Sequence, residues 1–139
     1  MLTTSSRVVM VSGASRGLGA VITERLLKAG FTLSAGARDP AALPQLAGLM
    51  AHAYDAKEPG SGEKWVEATL ARFGRVDALI NCAGINPRVR VLDEGEADLD
   101  EMWQVNVKGP LRLSRAALPA LMKSCLLYTS DAADEQCMV

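Results

Sequence analysis

The sequence predicts an α/β fold with a doubly wound parallel sheet, and three observations carry the prediction. Short apolar runs alternate with amphipathic stretches of helical period along most of the chain. The first run, Val8 to Val11, is β-branched and ends close to glycine, as a strand buried on both faces does. Gly13, Gly17 and Gly19 then separate it from an amphipathic stretch that begins at Ala20. Right-handed βαβ connections place such helices on both faces of one sheet.

Length and composition limit the possible functions. With 139 residues, 49% of them hydrophobic, the chain suffices for one domain and one core. A net charge of −1 without a basic run gives no sign of binding to nucleic acid or to an anionic membrane surface. There is no apolar run of membrane-spanning length, and Met1 to Ser6 lacks a signal-peptide pattern, so we expect a cytoplasmic protein.

The cysteines and the single histidine carry no metal-site pattern. Cys82, Cys125 and Cys137 lack metal-ligand spacing and are expected to be reduced thiols. His52 stands alone in an apolar stretch and is interpreted as a strand residue, with no ligand or base role.

The remaining elements follow from periodicity and from turn residues. Gly30 is expected to end the first helix and Gly74 the third, whose Trp65, Val66, Leu70 and Phe73 should face the core. The predicted second, third and fourth strands are Phe31–Gly36, Met50–Tyr54 and Ala78–Cys82. The short second helix is predicted at Asp39–Leu49, and the third helix at Glu63–Phe73 after a loop at Gly60–Gly62.

Beyond the fourth strand, Arg88 to Glu96 is charged and is expected to form a loop. Asp98 to Ser124 is predicted to be mostly helical, and a break at Gly109-Pro110 is left open. Its broad apolar face comprises Leu111, Leu113, Ala116, Ala117, Leu118 and Leu121.

The glycine-rich turn predicts a binding site for a pyrophosphate. Glycine permits positive φ and a close approach of the backbone to a ligand, and the next helix begins with free N–H groups and the positive end of its dipole. A tight turn without a ligand is the alternative, but the strand before and the helix after the turn favour a dinucleotide site.

Several motifs in this order resemble the short-chain dehydrogenase/reductase family over about residues 5–124. Gly-x-x-x-Gly-x-Gly at Gly13–Gly19, preceded by Ser12 in place of the usual Thr, is similar to the family's cofactor turn. Asp55-Ala56, Asp77, Asn81-Cys-Ala-Gly84 and Asn106 also match family positions. The resemblance implies a Rossmann-type fold, here truncated after about four strands, and a small carbonyl or alcohol substrate. It also implies a homodimeric or homotetrameric full-length parent.

The resemblance also implies which residues bind the cofactor. They are Gly13, Ser15, Arg16, Gly17, Leu18, Gly19, Arg38, Asp55, Ala56, Asn81, Ala83 and Gly84. In this family Asp55 would bond the adenine and Asn81 would tie neighbouring strands; a surface Asp at a strand end is the alternative for Asp55. No metal is expected.

Two arginines favour NADP over NAD. The second strand ends in Gly36-Ala-Arg38, without the carboxylate that binds the ribose hydroxyls of NAD, and Arg16 adds a second cation. Two solvated surface arginines are the alternative, and the adjacent Asp39 leaves NAD possible.

Catalytic residues are only partly present. In the family, Asn, Ser, Tyr and Lys act in hydride transfer between a nicotinamide and a carbonyl or alcohol carbon, and Asn106 matches the Asn, although a generic helix Asn is possible. Neither the Ser nor a Tyr-x-x-x-Lys follows it, since Ala132 stands four residues after Tyr128. We therefore expect the fragment to be poorly stable and inactive alone. A non-catalytic dinucleotide-binding module is the alternative.

Residues 125–139 are interpreted as a non-native or disordered tail after a domain at 1–124. Residues 125–135 resemble the translation of a sequencing adapter, in which Leu126-Leu-Tyr-Thr-Ser130 would be read from adapter codons. A genuine divergent tail is the alternative.

Overall fold

The computed structural model describes residues 7–88, 90, 92 and 95–124. Its strands are β1 (Val8–Ser12), β2 (Thr32–Ala37), β3 (Leu49–Ala53) and β4 (Ala78–Asn81). Its helices are α1 (Gly17–Lys28), α2 (Ser61–Phe73), α3 (Ala97–Trp103) and α4 (Gly109–Lys123), with a 3-10 turn at Pro40–Ala42 and a π-helical turn at Gln104–Lys108. The predicted tail, 125–139, and most of the segment between Val89 and Glu94 lie outside the described residues.

The four strands form one parallel sheet in the order β3-β2-β1-β4. Val9 of the central strand pairs with Leu33 on one side and with Ala78 on the other. Every residue of β1 is buried, which explains why its sequence is continuously apolar instead of alternating. The predicted doubly wound α/β fold is confirmed.

Helices cover both faces of this sheet and create two apolar layers. On one face α1 packs through Ile22, Leu26 and Leu27 against a cluster that contains Val9, Val11, Ala14, Leu33, Ala35, Ala37 and Leu43. On the other face α2 and α4 surround Met10, Tyr54, Ala56, Trp65, Val66, Val76, Val105, Leu113, Ala117 and Ala120.

Asp77 fixes the start of β4 against β1. Its carboxylate accepts a hydrogen bond from the amide of Val8 at 2.7 Å, and its own amide donates to the Val8 carbonyl at 2.8 Å. Arg75 donates to the same carboxylate, which is almost fully buried, so the charge is paired as well as hydrogen-bonded. These contacts set the register in which β4 follows β1.

Three predicted helices differ from the structure in their bounds or extent. α1 begins at Gly17, three residues before Ala20, so Gly17 to Gly19 belong both to the glycine-rich turn and to the first helical turn, with Gly17 at φ +58°. The helix predicted for Asp39–Leu49 was wrong: only Pro40–Ala42 forms a 3-10 turn, and Leu43 is extended. The physical reason is Pro44, since a residue that precedes proline is disfavoured in the α region.

α2 begins at Ser61, two residues before the predicted Glu63, so Gly62 lies inside the helix. A Cβ on Gly62 would lie 3.3 Å from Leu113, so its lack of a side chain lets α2 approach α4. Trp65 and Val66 are buried as predicted, whereas Leu70 is 36% exposed.

No break occurs at Gly109-Pro110. The chain instead runs through the π-helical turn at Gln104–Lys108, where the amide of Gly109 donates to the carbonyl of Gln104. Pro110 has no N–H to offer the Asn106 carbonyl in an α-helical pattern, which favours this irregular turn just before it.

Apolar surface remains uncovered at one side of the molecule. β4 is an edge strand, and none of its residues is buried. Of the apolar face predicted for the last helix, Leu113 and Ala117 are buried, whereas Leu111 and Leu118 are 46% and 51% exposed. An apolar sheet edge and an apolar helix face of this kind favour self-association.

Candidate functional site: a cleft at the carboxyl ends of the strands

A cleft of about 290 Å³ opens where all four strands end. This edge is where doubly wound folds bind their ligands. The lining residues come from every strand end, from the N-terminus of α1, from α3 and from the π-helical turn: Gly13, Ser15, Arg16, Gly17, Leu18, Gly19, Ala37, Arg38, Tyr54, Asp55, Ala56, Lys57, Cys82, Ala83, Gly84, Ile85, Glu101 and Val105.

The turn after β1 needs all three of its glycines, and Gly17 needs to be glycine because of its φ of +58°. Gly13 has φ +65°, and a Cβ there would lie 2.7 Å from the backbone of Ala83. A Cβ on Gly19 would lie 2.1 Å from the Gly13 carbonyl oxygen. The amide of Ala14 donates to the carbonyl of Gly36, which ties the turn to the end of β2. Side chains at Gly13 or Gly19 would therefore displace the turn from the strand ends.

The first turn of α1 lies at this cleft. The helical hydrogen bonds start with Ala20, whose amide donates to the Arg16 carbonyl at 3.3 Å. The amides of Gly17, Leu18 and Gly19 precede that bond and have no partner within the helix. All three residues line the cleft, so an anion there would meet both N–H groups and the positive end of the helix dipole.

Two cationic side chains lie at the end of β2. Arg38 follows β2 directly, Arg16 precedes α1, and both are exposed and line the cleft. The neighbouring carboxylate of Asp39 is used elsewhere: it accepts a hydrogen bond from the Ala41 amide at 2.9 Å and caps the 3-10 turn. Asp39 is not among the residues that line the cleft.

The segment after β3 forms a compact turn at the cleft. The Asp55 carboxylate accepts from the amide of Lys57 at 2.9 Å, and the Asp55 amide donates to Ser61 Oγ at 3.0 Å. Tyr54 is buried beside Trp65, with ring centroids 5.1 Å apart. Burial raises the pKa of Tyr54 to about 12, so its hydroxyl stays protonated at neutral pH.

Ser12 joins β1 to the chain that leaves β4. Its hydroxyl oxygen accepts hydrogen bonds from the amides of Cys82 and Ala83 at 3.0 and 3.1 Å. The structure thus gives this residue the tie between strands that was predicted for Asn81. Asn81 does not line the cleft, and its side-chain amide points to α4, where it donates to Ser114 Oγ at 3.3 Å.

Asn106 lies in the π-helical turn and is bonded to the chain after β4. Its Oδ1 accepts from the Ile85 amide at 2.9 Å, and its Nδ2 donates to the Ile85 carbonyl at 2.7 Å. Each polar atom of the side chain thus makes one bond to Ile85, and Pro110 cannot supply the α-helical donor for the main-chain carbonyl.

The cleft brings together all the sequence-predicted cofactor residues except Asn81. It also contains residues that were not among the predicted cofactor residues: Ala37, Tyr54, Lys57, Cys82, Ile85, Glu101 and Val105. Tyr54 and Lys57 adjoin the predicted Asp55-Ala56, so extending that motif by one residue on each side would have found them. Nothing in the sequence separates Glu101 from the other acids around it. No cluster of three metal-ligating side chains occurs among the described residues.

The shape and the donors of the cleft fit a dinucleotide. The glycines leave room where a Cβ would meet backbone, the first amides of α1 suit a pyrophosphate, and Arg16 and Arg38 supply positive charge. Asp55 and Ala56 offer carboxylate and backbone groups at one more strand end.

The fold and the cleft thus define a doubly wound α/β protein with a ligand site at its strand ends. A family model described as short chain dehydrogenase matches residues 7–125, and the chain belongs to this family of oxidoreductases.

Individual relatives agree with this assignment. Agropine synthesis reductase of Rhizobium rhizogenes is 36% identical over 129 residues, which cover 86% of this chain and 29% of the relative. An alcohol dehydrogenase from Thermococcus sibiricus, solved with 5-hydroxy-NADP, superimposes with a TM-score of 0.78 at 31% identity over 85% of this chain and 54% of its own. An NADPH-bound carbonyl reductase from chicken fatty liver gives 0.76 at 28% identity, over 84% and 49%. The chain spans between 29% and 54% of the length of these proteins.

No helix in the described part of the chain combines the length and the apolarity that crossing a membrane requires.

Proposed function

We propose that this chain is the cofactor-binding part of an NADP(H)-dependent short-chain oxidoreductase that acts on a small carbonyl or alcohol substrate. Residues 1–124 would form this domain. The observation that carries the proposal is the pairing of Arg16 and Arg38 at one cleft whose neighbouring carboxylate, Asp39, is used to cap a turn.

Charge explains the preference for NADP. A carboxylate at the end of β2 would accept from the ribose hydroxyls of NAD and repel a 2′-phosphate. Here the guanidinium groups of Arg38 and Arg16 are both available at the cleft, and guanidinium binds phosphate through charge-assisted paired hydrogen bonds. The relatives solved with NADPH and with 5-hydroxy-NADP support this proposal.

The other residues would bind and orient the cofactor. The amides of Gly17, Leu18 and Gly19 would hold the pyrophosphate, with Gly13 and Ser15 beside them. Asp55 and Ala56 would contact the adenine, and Ala83 and Gly84 would lie against the cofactor after β4. When bound, a nicotinamide dinucleotide supplies or accepts the hydride. Asn106 would help to hold a water for proton transfer.

Binding of NADPH and NADH by the 139-residue chain tests the proposal. We expect NADPH to raise the melting temperature and to bind more tightly than NADH, because a ligand that binds only the folded state stabilises it. Arg38→Ala should weaken the binding of NADPH about ten- to hundredfold, the range for a lost charge-assisted contact. The affinity for NADH should stay within about twofold of that of the unchanged chain. Arg16→Ala should do the same to a smaller extent.

The control is Arg115→Ala, which removes an exposed positive charge from α4 outside the cleft. Equal binding of the two dinucleotides, or an equal loss in Arg38→Ala and Arg115→Ala, would show that the arginines do not select the cofactor. Binding of neither dinucleotide would refute the cofactor-binding function itself.

A non-catalytic dinucleotide-binding module is the second candidate, and such a module would need no Tyr-x-x-x-Lys. Neither tyrosine of the chain is followed four residues later by lysine: Glu58 follows Tyr54 and Ala132 follows Tyr128. The two candidates separate on the coding DNA downstream of Ser124. A reading frame that continues into a Ser and a Tyr-x-x-x-Lys supports the oxidoreductase, and a native stop near residue 139 supports the module.

A further inference from the structure

An ion pair at the rim of the cleft has no part in the proposed function described so far. Lys57 Nζ donates to Glu101 Oε1 at 2.7 Å, and both residues line the cleft. The pair joins the turn after β3 to α3, across 44 residues of sequence. It therefore differs from the Glu24–Lys28 pair, which links two neighbouring turns within α1.

The stability of the fold does not explain this pair. The two side chains are 43% and 45% exposed, and exposed ion pairs contribute little to folding because water and salt screen them. The hydrogen bond and the charge of Glu101 raise the pKa of Lys57. The pair instead constrains the turn after β3, to which Lys57 belongs.

That turn is the one expected to face the adenine. Gly109 of α4 approaches Ala56 so closely that a Cβ on Gly109 would lie 2.8 Å from the Ala56 methyl group. Arg112 of the same helix donates to the Lys57 carbonyl at 3.4 Å. These two contacts hold the backbone of the turn, and the Lys57–Glu101 pair ties its side chain to the cleft wall.

We propose that Lys57 and Glu101 are positioning residues that hold the turn Asp55–Lys57 in its cofactor-binding conformation. This inference rests on the proposed function, because the ligand is the dinucleotide. A turn held in place before binding loses less conformational freedom when the ligand arrives, so affinity rises without a new contact. The effect is the same for NADPH and NADH, since the two cofactors share the adenine.

The test compares dinucleotide binding in variants of the 139-residue chain. Glu101→Gln and Lys57→Met should each weaken NADPH and NADH by the same factor, about three- to fivefold. The exchanged pair, Lys57→Glu with Glu101→Lys, should restore most of the affinity. Glu24→Gln is the matched control, because it breaks an exposed Lys–Glu pair that lies outside the cleft, and it should change neither affinity.

A loss confined to NADPH would overturn the inference, because it would mean that Lys57 contacts the 2′-phosphate directly. Unchanged affinities would overturn it too, as would failure of the exchanged pair to restore binding. Each of these outcomes leaves the proposed function intact as long as the unchanged chain binds NADPH.

Amide hydrogen exchange on the free chain separates the two proposals further. The amides of Lys57 and Glu58 donate to Asp55 within the turn, at 2.9 and 3.1 Å. Glu101→Gln should speed exchange at these two amides, and Glu24→Gln should not. If the unchanged chain binds neither dinucleotide, the proposed function fails, and equal exchange in both variants would then refute the positioning role independently.

Discussion

The side chain of Asn106 pairs with the backbone of Ile85 through two reciprocal hydrogen bonds, one donated by each residue. This arrangement joins the π-helical turn to the chain that leaves β4, where no strand lies on the outer side of the sheet within the described residues. A Cβ on Gly84 would lie 3.4 Å from Asn106 Oδ1, so the preceding residue is in contact as well. Asn106 therefore positions one wall of the cleft.

Replacing Asn106 should destabilise the chain through these two bonds. We expect Asn106→Ala to lower the free energy of unfolding by about 1–2 kcal/mol, measured by urea denaturation. Asn106→Asp keeps the acceptor but places a second carboxylate oxygen against the Ile85 carbonyl, so it should recover none of the stability lost in Asn106→Ala. Ser114→Ala, which removes a single bond from Asn81, is the control and should cost less. Equal stability of Asn106→Ala and the unchanged chain would contradict the positioning role.

Gly36 and Trp65 make the second prediction. A Cβ on Gly36 would lie 2.6 Å from the indole of Trp65, whose Nε1 donates to Ser34 Oγ and whose ring lies against Tyr54. The ring is fully buried and cannot yield, so Gly36→Ala should cost about 3 kcal/mol, near the upper end for overpacking.

A second substitution identifies the cause of that loss. Trp65→Phe replaces the indole by a smaller ring. In a Gly36→Ala background this substitution should lower the free energy of unfolding by less than it does alone, and a double-mutant cycle measures this coupling. Gly84→Ala is the control, because its Cβ would meet only an ordinary contact. Additive losses would show that the clash does not explain the requirement for glycine.

The sequence predicted the fold well wherever an element carried its own signal. β1 and α1 are joined by three glycines at fixed spacing, and Gly74 ends α2 with φ +74° as expected. The prediction failed at Asp39–Leu49, where apolar residues at helical spacing hid the effect of Pro44 on Leu43. The spacing of apolar residues does not show whether the backbone becomes helical or is kept extended by a following proline.

The residues of the candidate site also differ in whether the sequence alone could predict them. The sequence could place the glycine turn at the cleft because glycine has a specific backbone role, and Asp55 because it matches a family motif at the end of a predicted strand. Glu101 and Ser12 act through partners 44 and 70 residues away, and no local pattern encodes those distances. Ser12 is the register partner of Asn81, and its hydroxyl, not the Asn81 side chain, accepts hydrogen bonds from the chain that leaves β4.

The third prediction is that the 139-residue chain does not catalyse carbonyl reduction. Proton transfer to the developing alkoxide needs an acid whose pKa is lowered by a neighbouring cation, and no Tyr-x-x-x-Lys is present to provide it. NADPH consumption with a panel of aldehydes and ketones should equal that of the buffer. Turnover that disappears in Asn106→Ala would contradict this prediction; turnover that persists there would indicate a contaminating reductase.

The fourth prediction concerns alkaline pH and Tyr54. Burial raises its pKa from 10.0 to about 12, so above pH 10 the unfolded chain loses this proton while the folded chain keeps it. The contribution is fully present below pH 10 and is lost as the pH rises to about 12. The free energy of unfolding should therefore fall with pH in this window, and the fall should be shallower in Tyr54→Phe. Tyr128→Phe, the only other tyrosine substitution that the chain offers, is the control. The same slope in both variants would mean that Tyr54 ionises as freely in the folded chain as in the unfolded one.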